Sequence, residues 1–182
     1  MRKLISSTMM SVDGVEENPQ NWSFDYWNDE IQKYAYDQLF ASDALFMGRV
    51  TYEGFAEAWS SRAGADAFAD RMNALPKYVT SRTAKEPLTW NASLVKGDIG
   101  EAFTKIKAEL GQDVLQYGIG ELTQTLIRHG LIDEIRLLVY PVVVGSGQRI
   151  FEKIDQTRLK LIETKTFATG VVALHYQPVK AE

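Results

Sequence analysis

The sequence predicts an α/β fold: one mixed sheet in three layers, helices on both faces, closed by an antiparallel hairpin. Three observations carry this. First, short apolar runs alternate with segments of helical periodicity from Lys3 to Gly130, and strands separated by helices pair in parallel and are covered on both faces. Second, the last third is made of strands without helices and ends in two alternating runs around Ala168-Thr169-Gly170, the pattern of a hairpin. Third, 182 residues with 45% hydrophobic and 24% charged side chains suit one globular domain spanning 1–182. A chain of that size buries roughly 70% of its unfolded surface without staples.

The elements follow in order. Lys3 to Met10 reads as the first strand, with a turn at Ser11-Val12-Asp13-Gly14. Gln20 to Asp29 is aromatic and irregular, carrying Trp22, Phe24, Tyr26 and Trp27. A helix runs from about Asn28 to Phe40, capped by Asn28 or Asp29, with Ile31, Tyr34, Ala35 and Leu39 at helical spacing. Ala44 to Met47 is a buried strand ending at Gly48. Val50 to Trp59 and Ala63 to Leu75 are helical, the second stopping before Pro76. Lys77 to Thr80 and Ser93 to Lys96 are short strands. Asp98-Ile99-Gly100-Glu101 has the form of a capping box and opens a helix to Leu110. Val114 to Tyr117 is a strand, Gly118-Ile119-Gly120 a tight turn, and Glu121 to Gly130 a helix ended by glycine. Glu134 to Val144 is the most apolar strand. Leu159 to Phe167 and Val171 to Gln177 form the closing hairpin.

Composition excludes several chemistries. There is no cysteine, so there is no disulfide, thiolate nucleophile, iron–sulfur cluster or cysteine zinc site. The two histidines, His129 and His175, cannot form a His-X-X-X-His pair or a three-histidine site. His129 ends a helix, where the dipole favours its cation, and reads as structural. His175 lies in a late strand, at an edge or in the core; Met9 and Met10 read as core. A net charge of −4 without a basic run argues against nucleic acid and anionic membrane surfaces. The opening MRKLISSTMMSVDG is too short and polar in its apolar part for an export signal, so a cytoplasmic protein is the expectation. The longest apolar run, Leu137 to Val144, falls far short of the ~20 residues of a membrane span.

Three stretches share one context, the carboxyl end of a strand entering a helix or loop: Gly48-Arg49-Val50-Thr51, Ser81-Arg82-Thr83 and Gly118-Ile119-Gly120. Ligands of open α/β sheets bind at this edge. Helix N-termini there offer free N–H groups and the positive end of a dipole. Glycine lets the backbone approach an anion closely, and arginine supplies a forked charged donor. Each stretch also suits plain turning or a solvated arginine. Together they point to a ligand with several phosphates, such as a dinucleotide. Gly118-Ile119-Gly120 is not a full dinucleotide fingerprint, because Thr123 stands where the third glycine belongs.

These residues carry a resemblance. Met47-Gly48-Arg49-Val50-Thr51-Tyr52-Glu53 resembles the Met-Gly-Arg-X-Thr-(Trp/Tyr)-Glu motif of dihydrofolate reductases. Ser11-Val12-Asp13-Gly14 resembles the Ser-Leu-Asp-Gly motif of the riboflavin-biosynthesis reductase domain, which shares that fold. Asp133-Glu134-Ile135-Arg136-Leu137, then Pro141-Val142-Val143-Val144-Gly145-Ser146-Gly147 and Phe151, is similar to the tail of the same group. The likeness spans essentially the whole chain and is specific for the superfamily rather than for a substrate.

The resemblance implies a dihydrofolate-reductase-like domain that binds NADPH. It places the pyrophosphate and the neighbouring phosphate on Gly48, Arg49 and Thr51, and the 2′-phosphate on Ser81 and Arg82. Gly118 and Gly120 would close over the pyrophosphate at the next helix, although Ile119 stands where the group carries a small residue. Lys96 would lie near the adenine, or else be a solvated lysine. On the substrate side, Asp13 and Trp22 would face a small-molecule substrate, Trp22, Phe24 and Tyr26 being able to stack on a planar ring. Asp13, Asp25 or water would supply the proton. Asp25, Asp29 and Glu30 match no pocket carboxylate of the dihydrofolate reductases, which argues against folate. The zinc deaminase often fused to the riboflavin reductase needs cysteines and a His-X-Glu motif, and neither occurs, so the chain reads as a stand-alone reductase-type domain.

The reading is a reductase that transfers hydride to a C=N or C=O bond of a small heterocyclic or sugar-linked substrate, nearest to 5-amino-6-(5-phosphoribosylamino)uracil reductase. Its rivals are dihydrofolate reduction, a phosphate-ester transferase, and a non-catalytic module that keeps the fold. A homodimer is expected from the resemblance and from the apolar run Val171-Val172-Ala173-Leu174, since long strand edges invite pairing.

Overall fold

The computed structural model describes residues 1–152 and 154–179. Its strands are β1 (Leu4–Ser11), β2 (Ser42–Gly48), β3 (Lys77–Thr80), β4 (Ala92–Leu94), β5 (Asp113–Tyr117), β6 (Glu134–Tyr140), β7 (Leu159–Thr166) and β8 (Val172–Pro178). Its α-helices are α1 (Asp29–Phe40), α2 (Arg49–Trp59), α3 (Ala67–Ala74), α4 (Ile99–Ala108) and α5 (Glu121–Arg128). All strands join one sheet in the order β4-β3-β2-β5-β1-β6-β8-β7. β1 to β6 run parallel, and β8 pairs antiparallel with both β6 and β7.

Period-two alternation sorts the side chains into layers. On one face Leu4, Phe46, Val114, Ile135 and Leu137 pack against Phe103 and Ile106 of α4 and Leu126 of α5. The Phe46 and Phe103 rings lie 4.5 Å apart between centroids. On the other face Ile5, Leu45, Met47 and Leu115 meet Leu39, Tyr52 and Met72 of α1, α2 and α3. A third cluster, Ile31, Leu138, Tyr140, Phe167 and Ala173, continues that face under the start of α1. The three expected layers are present.

Topology positions the site. α1 carries the chain from β1 towards β2 on one face, and α5 carries it from β5 towards β6 on the other. Their paths diverge at the β1–β5 border, and that divergence opens a crevice at the carboxyl edge of the sheet. Caps mark the helix starts. Asn28, Asp66 and Asp98 accept from the backbone N–H of Ile31, Ala69 and Glu101 and so cap α1, α3 and α4. α2 and α5 instead begin at Gly48 and Gly120, without side-chain caps, and leave first-turn N–H groups for other partners.

Several features differ from the sequence reading. β6 ends at Tyr140 rather than Val144, because Pro141 cannot donate to a ladder and the chain turns away, leaving Val143 exposed. α3 begins at Ala67 rather than Ala63: Asp66 caps it, and Ser60–Arg62 forms a separate 3-10 turn. β4 is Ala92–Leu94, so Lys96 lies beyond the strand. The run Val171–Leu174 is not an edge: Val172, Ala173 and Leu174 sit in β8, paired on both sides, and β7 is the outer strand, with Leu161 and Ile162 half exposed. Among the described residues no helix is long and apolar enough to cross a membrane.

Candidate functional site

The turn after β2 meets the turn after β5. Gly118 has φ +83°, a backbone state suited to glycine, and a Cβ built there would lie 3.9 Å from the Thr51 hydroxyl. A Cβ at Gly48 or Gly120 would meet nothing within 4 Å, so both glycines border open space. Arg49 is exposed on the first turn of α2 and pairs with Glu53 at 2.8 Å. After β3, the Ser81 Oγ accepts from the N–H of Thr83 at 3.1 Å and of Ala84 at 2.8 Å, and the resulting turn holds out Arg82. Arg82 is exposed, and among the described residues no carboxylate pairs with it. Lys96 is also exposed but is paired with Glu86. Gly48, Arg49, Thr51, Ser81, Arg82, Gly118 and Gly120 therefore share one edge, and of its two arginines Arg49 is paired with Glu53 while Arg82 has no carboxylate partner among the described residues.

The second glycine turn is arranged differently from the first. Ile119 is buried among Leu126, Leu131 and Ile132, so its side chain does not obstruct the turn. What stands at the turn is Glu16, which the sequence reading did not single out. Its Oε2 accepts from the Ile119 N–H at 3.0 Å and from the Thr8 hydroxyl at 2.9 Å. Burial is the first cause that raises its pKa, against the lowering effect of those two bonds. Beside it a cavity of about 330 Å³ is lined by Ile119, Gly120, Glu121, Gln148, Arg149 and Glu152.

Asp13 does reach the crevice, but as a clamp. Its carboxylate accepts from the Ser11 hydroxyl at 2.7 Å, the Val144 N–H at 3.0 Å and the Gly145 N–H at 2.8 Å. The Ser11 bond and then the two backbone bonds hold its pKa down at about 2. Arg149 adds a bond from Nε to the Asp13 carbonyl at 3.0 Å, and the loop after β6 is tied to the end of β1. Trp22 lies edge-on to the Tyr140 ring at 5.5 Å, and Tyr26 does the same at 6.0 Å. Tyr140 is fully buried and its hydroxyl has no hydrogen-bond partner among the described residues. Asp25 lies exposed on the single 3-10 turn Phe24–Tyr26, and Phe24 points to solvent. The structure thus brings Asp13 and Trp22 to the α1 side of the edge and leaves Asp25 outside.

A polar row crosses the sheet beneath α1. Tyr117, Ser7, Arg136, His175 and Glu163 are successive register partners on β5, β1, β6, β8 and β7. Gln38 of α1 donates to Ser7 at 3.1 Å and accepts from Arg136 at 3.4 Å. Arg136 donates to Glu134 at 2.6 Å. His175 Nδ1 faces Glu134 at 3.3 Å and Glu163 at 3.4 Å, and its Nε2 meets the Tyr34 hydroxyl at 2.7 Å. Carboxylates accept only, so the neutral ring carries its proton on Nδ1 and accepts from Tyr34. Desolvation, then the Arg136 charge, lowers the His175 pKa, while Glu134 and Glu163 oppose the shift. The folded pKa lies below the unfolded value of 6.5, so the unfolded chain takes up this proton first. Stability is therefore expected to be flat in His175 above neutrality and to fall as pH drops below about 6.5. Thermal midpoints from pH 7.5 to 5 would show this fall in the wild type and a flatter profile in His175→Gln; equal slopes would contradict it.

Comparison with known proteins follows the whole chain. The RibD C-terminal domain family model matches residues 2–173. The uncharacterized protein YyaP of Bacillus subtilis (strain 168) is 30% identical over 179 residues, covering 96% of this chain and 94% of that protein. A Shewanella sp. PV-4 protein named for riboflavin biosynthesis superposes with a TM-score of 0.76 at 21% identity, covering 98% of this chain and 99% of its own. A Thermotoga maritima diaminohydroxyphosphoribosylaminopyrimidine deaminase/5-amino-6-(5-phosphoribosylamino)uracil reductase superposes at 0.67 with 13% identity; 98% of this chain covers 57% of that one. At these identities the solved structures speak for the fold alone, which is the riboflavin-reductase, dihydrofolate-reductase-like fold.

Proposed function

The chain belongs to the RibD C-terminal domain family, and from that premise we propose that it is a stand-alone NADPH-dependent reductase of a small heterocyclic or sugar-linked substrate. The observation that carries the reading is the turn after β3, where the Ser81-based turn presents the unpaired Arg82 on the same edge as the open Gly48 turn. The residues present fit the cofactor in part. Gly48 and the uncapped first turn of α2 suit a diphosphate, with Arg49 released from Glu53 and Thr51 beside them. Ser81 and Arg82 suit a 2′-phosphate. Bound there, NADPH would supply hydride; the chain's part is to orient the two partners and to limit water at the crevice.

The substrate side supports a heterocycle other than folate. The buried positions of α1 are Ile31, Gln38 and Leu39, whereas Asp29 and Glu30 are exposed and Glu30 accepts from the Ala168 N–H at 2.9 Å. No α1 carboxylate therefore faces the sheet. Asp13 is held ionised by three hydrogen bonds and Asp25 lies outside the crevice, so water is the proton source this reading uses. The family and the Thermotoga protein's name support 5-amino-6-(5-phosphoribosylamino)uracil reduction as the nearest activity.

Calorimetric titration with NADPH and NADH tests the reading. A charge-assisted contact contributes about 1.5–3 kcal/mol, so NADPH is expected to bind about 10- to 100-fold tighter, and Arg82→Ala to erase most of that difference while leaving NADH unchanged. Equal binding of the two cofactors, or an unaltered preference in Arg82→Ala, would overturn it.

A further inference from the structure

We propose that Tyr140 is a substrate-recognition residue, whose hydroxyl donates a hydrogen bond to a ring carbonyl or ring nitrogen of an uncharged planar heterocycle entering beneath Trp22 and Tyr26. The inference rests on the reductase reading and deepens it by assigning the group that recognises the ring. Tyr140 ends β6 at the carboxyl edge of the sheet, in register with Ser11 of β1. It is wholly shielded from solvent, and its Oη is a buried atom with no hydrogen-bond partner among the described residues. Folded chains pair nearly all such groups, because a phenol taken out of water and left unbonded is destabilising. Phenylalanine would fill the same space without that penalty. The hydroxyl is therefore an unspent donor in the free protein, on the α1 side of the edge that also holds Asp13 and Trp22.

The neighbours decide which ligand chemistry fits. Ile31, Leu138, Phe167, Val171 and Ala173 form one cluster with the ring and carry no side-chain acceptor. Burial pushes the phenol up to about 12, so it keeps its proton and stays a donor across the working pH range. A charged group brought against this wall would lose its hydration without gaining a counter-charge. An uncharged ring with an acceptor on its edge loses little and satisfies the donor. The aromatic loop is the way in. Trp22 and Tyr26 stand edge-on to Tyr140, both half-buried, at the ends of the 3-10 turns Pro19–Asn21 and Phe24–Tyr26, and neither turn has a side-chain cap. Beyond the adjacent Glu17, residues 18–27 are tied to the rest of the chain by one hydrogen bond among the described residues, from the Tyr26 hydroxyl to the Pro141 carbonyl at 3.3 Å. A segment so lightly tied opens locally at low cost, and the rings it lifts from Tyr140 can then pack on a planar ligand.

Calorimetry on the full chain tests this with 5,6-diaminouracil, an uncharged ring bearing carbonyl acceptors, and with indole, a planar ring that has an N–H donor and no acceptor. Each is titrated with and without saturating NADPH. Tyr140→Phe removes only the hydroxyl. It is expected to weaken 5,6-diaminouracil about tenfold, to leave indole unchanged, and to keep or raise the thermal midpoint, because the free protein leaves that hydroxyl unbonded. A midpoint lowered by Tyr140→Phe would show that the hydroxyl is spent within the chain and would overturn the proposal. So would equal binding of 5,6-diaminouracil to wild type and variant, an equal loss for indole, or no binding of 5,6-diaminouracil to the wild type under either condition. If one of these occurs while the Arg82-dependent NADPH preference holds, the role of Tyr140 alone is lost. If that preference is absent and Tyr140→Phe still weakens 5,6-diaminouracil selectively, the cofactor reading is lost and the recognition role stands.

Discussion

Replacing Lys77 with methionine is expected to raise the thermal midpoint at neutral pH and to flatten a rise in stability that the wild type shows between about pH 8 and 10. Lys77 opens β3 with 1% of its surface exposed, beneath α3. Its Nζ donates to the Asn73 carbonyl at 2.9 Å and lies 4.1 Å from the Trp90 ring centroid. Those two contacts do not replace the water the ammonium has lost, and burial pushes its pKa down to about 8 from 10.5. Between those values the unfolded chain holds a proton that the folded chain has released, so stability grows with pH across that window. Near pH 10 the tyrosines reverse the trend. Burial raises the pKa of Tyr34, Tyr117 and Tyr140, so the unfolded phenols ionise first and stability falls again. Methionine fills a similar volume and keeps a favourable sulfur–ring contact with Trp90. Replacing buried ion pairs by apolar groups of like volume is often neutral or stabilising by about 1–4 kcal/mol, and Lys77 has no counter-ion among the described residues to lose, so a gain in that range is expected, at roughly 2–4 °C per kcal/mol in a chain of this length. Scans of wild type and Lys77→Met from pH 7 to 10.5 measure both effects. A lower midpoint at pH 7 would mean that the Trp90 and Asn73 contacts outweigh desolvation.

Arg136→Met is expected to act in the opposite direction and more strongly. Arg136 is the cation at the centre of the polar row, bonded to Glu134 and Gln38. Its loss leaves the Glu134 carboxylate buried at 8% exposure, with the neutral His175 as its remaining close partner. Breaking a buried pair in this way costs about 3–5 kcal/mol, which in a chain of this length lowers the midpoint by about 10 °C. It should also move the acid transition of His175 to higher pH, because the positive charge that opposes its protonation is gone. Denaturant unfolding at pH 5.5 and 7.5 measures both. If Arg136→Met is near neutral while Glu134→Gln in the same background gains nothing, the row is held by packing rather than by charge.

These two residues show where the sequence was legible and where it was not. Lys77 reads as an ordinary first residue of a short strand, and nothing local says that α3 and Trp90 will cover it. Arg136 and His175 are 39 positions apart in the chain, and they become neighbours through the antiparallel pairing of β6 with β8. Hydrophobic periodicity, by contrast, is a local property. Among the described residues it located the eight strands and the five α-helices, with errors at their ends, as where Pro141 or Asp66 overrode the apolar pattern and where β4 stops at Leu94.

The same division runs through the candidate site. The glycine turns at Gly48 and Gly118 and the Ser81-Arg82 pair were visible in the sequence, because strand–turn–helix chemistry is written in consecutive residues. Arg82 standing free, Lys96 paired with Glu86, and Asp13 clamped by Val144 and Gly145 were not visible. Those outcomes depend on which loops the sheet order brings to one edge. Glu16 is the sharpest case: it takes the N–H of a residue 103 positions away, because β1 and β5 lie side by side in parallel. The sequence by itself determined the layers, the order of elements and the edge at which the strand-to-helix turns gather, since these follow from periodicity and turn residues along the chain. Only the tertiary structure decided which charges at that edge are free and which are spent, because a charge's partner is set by strand pairing across the whole sheet.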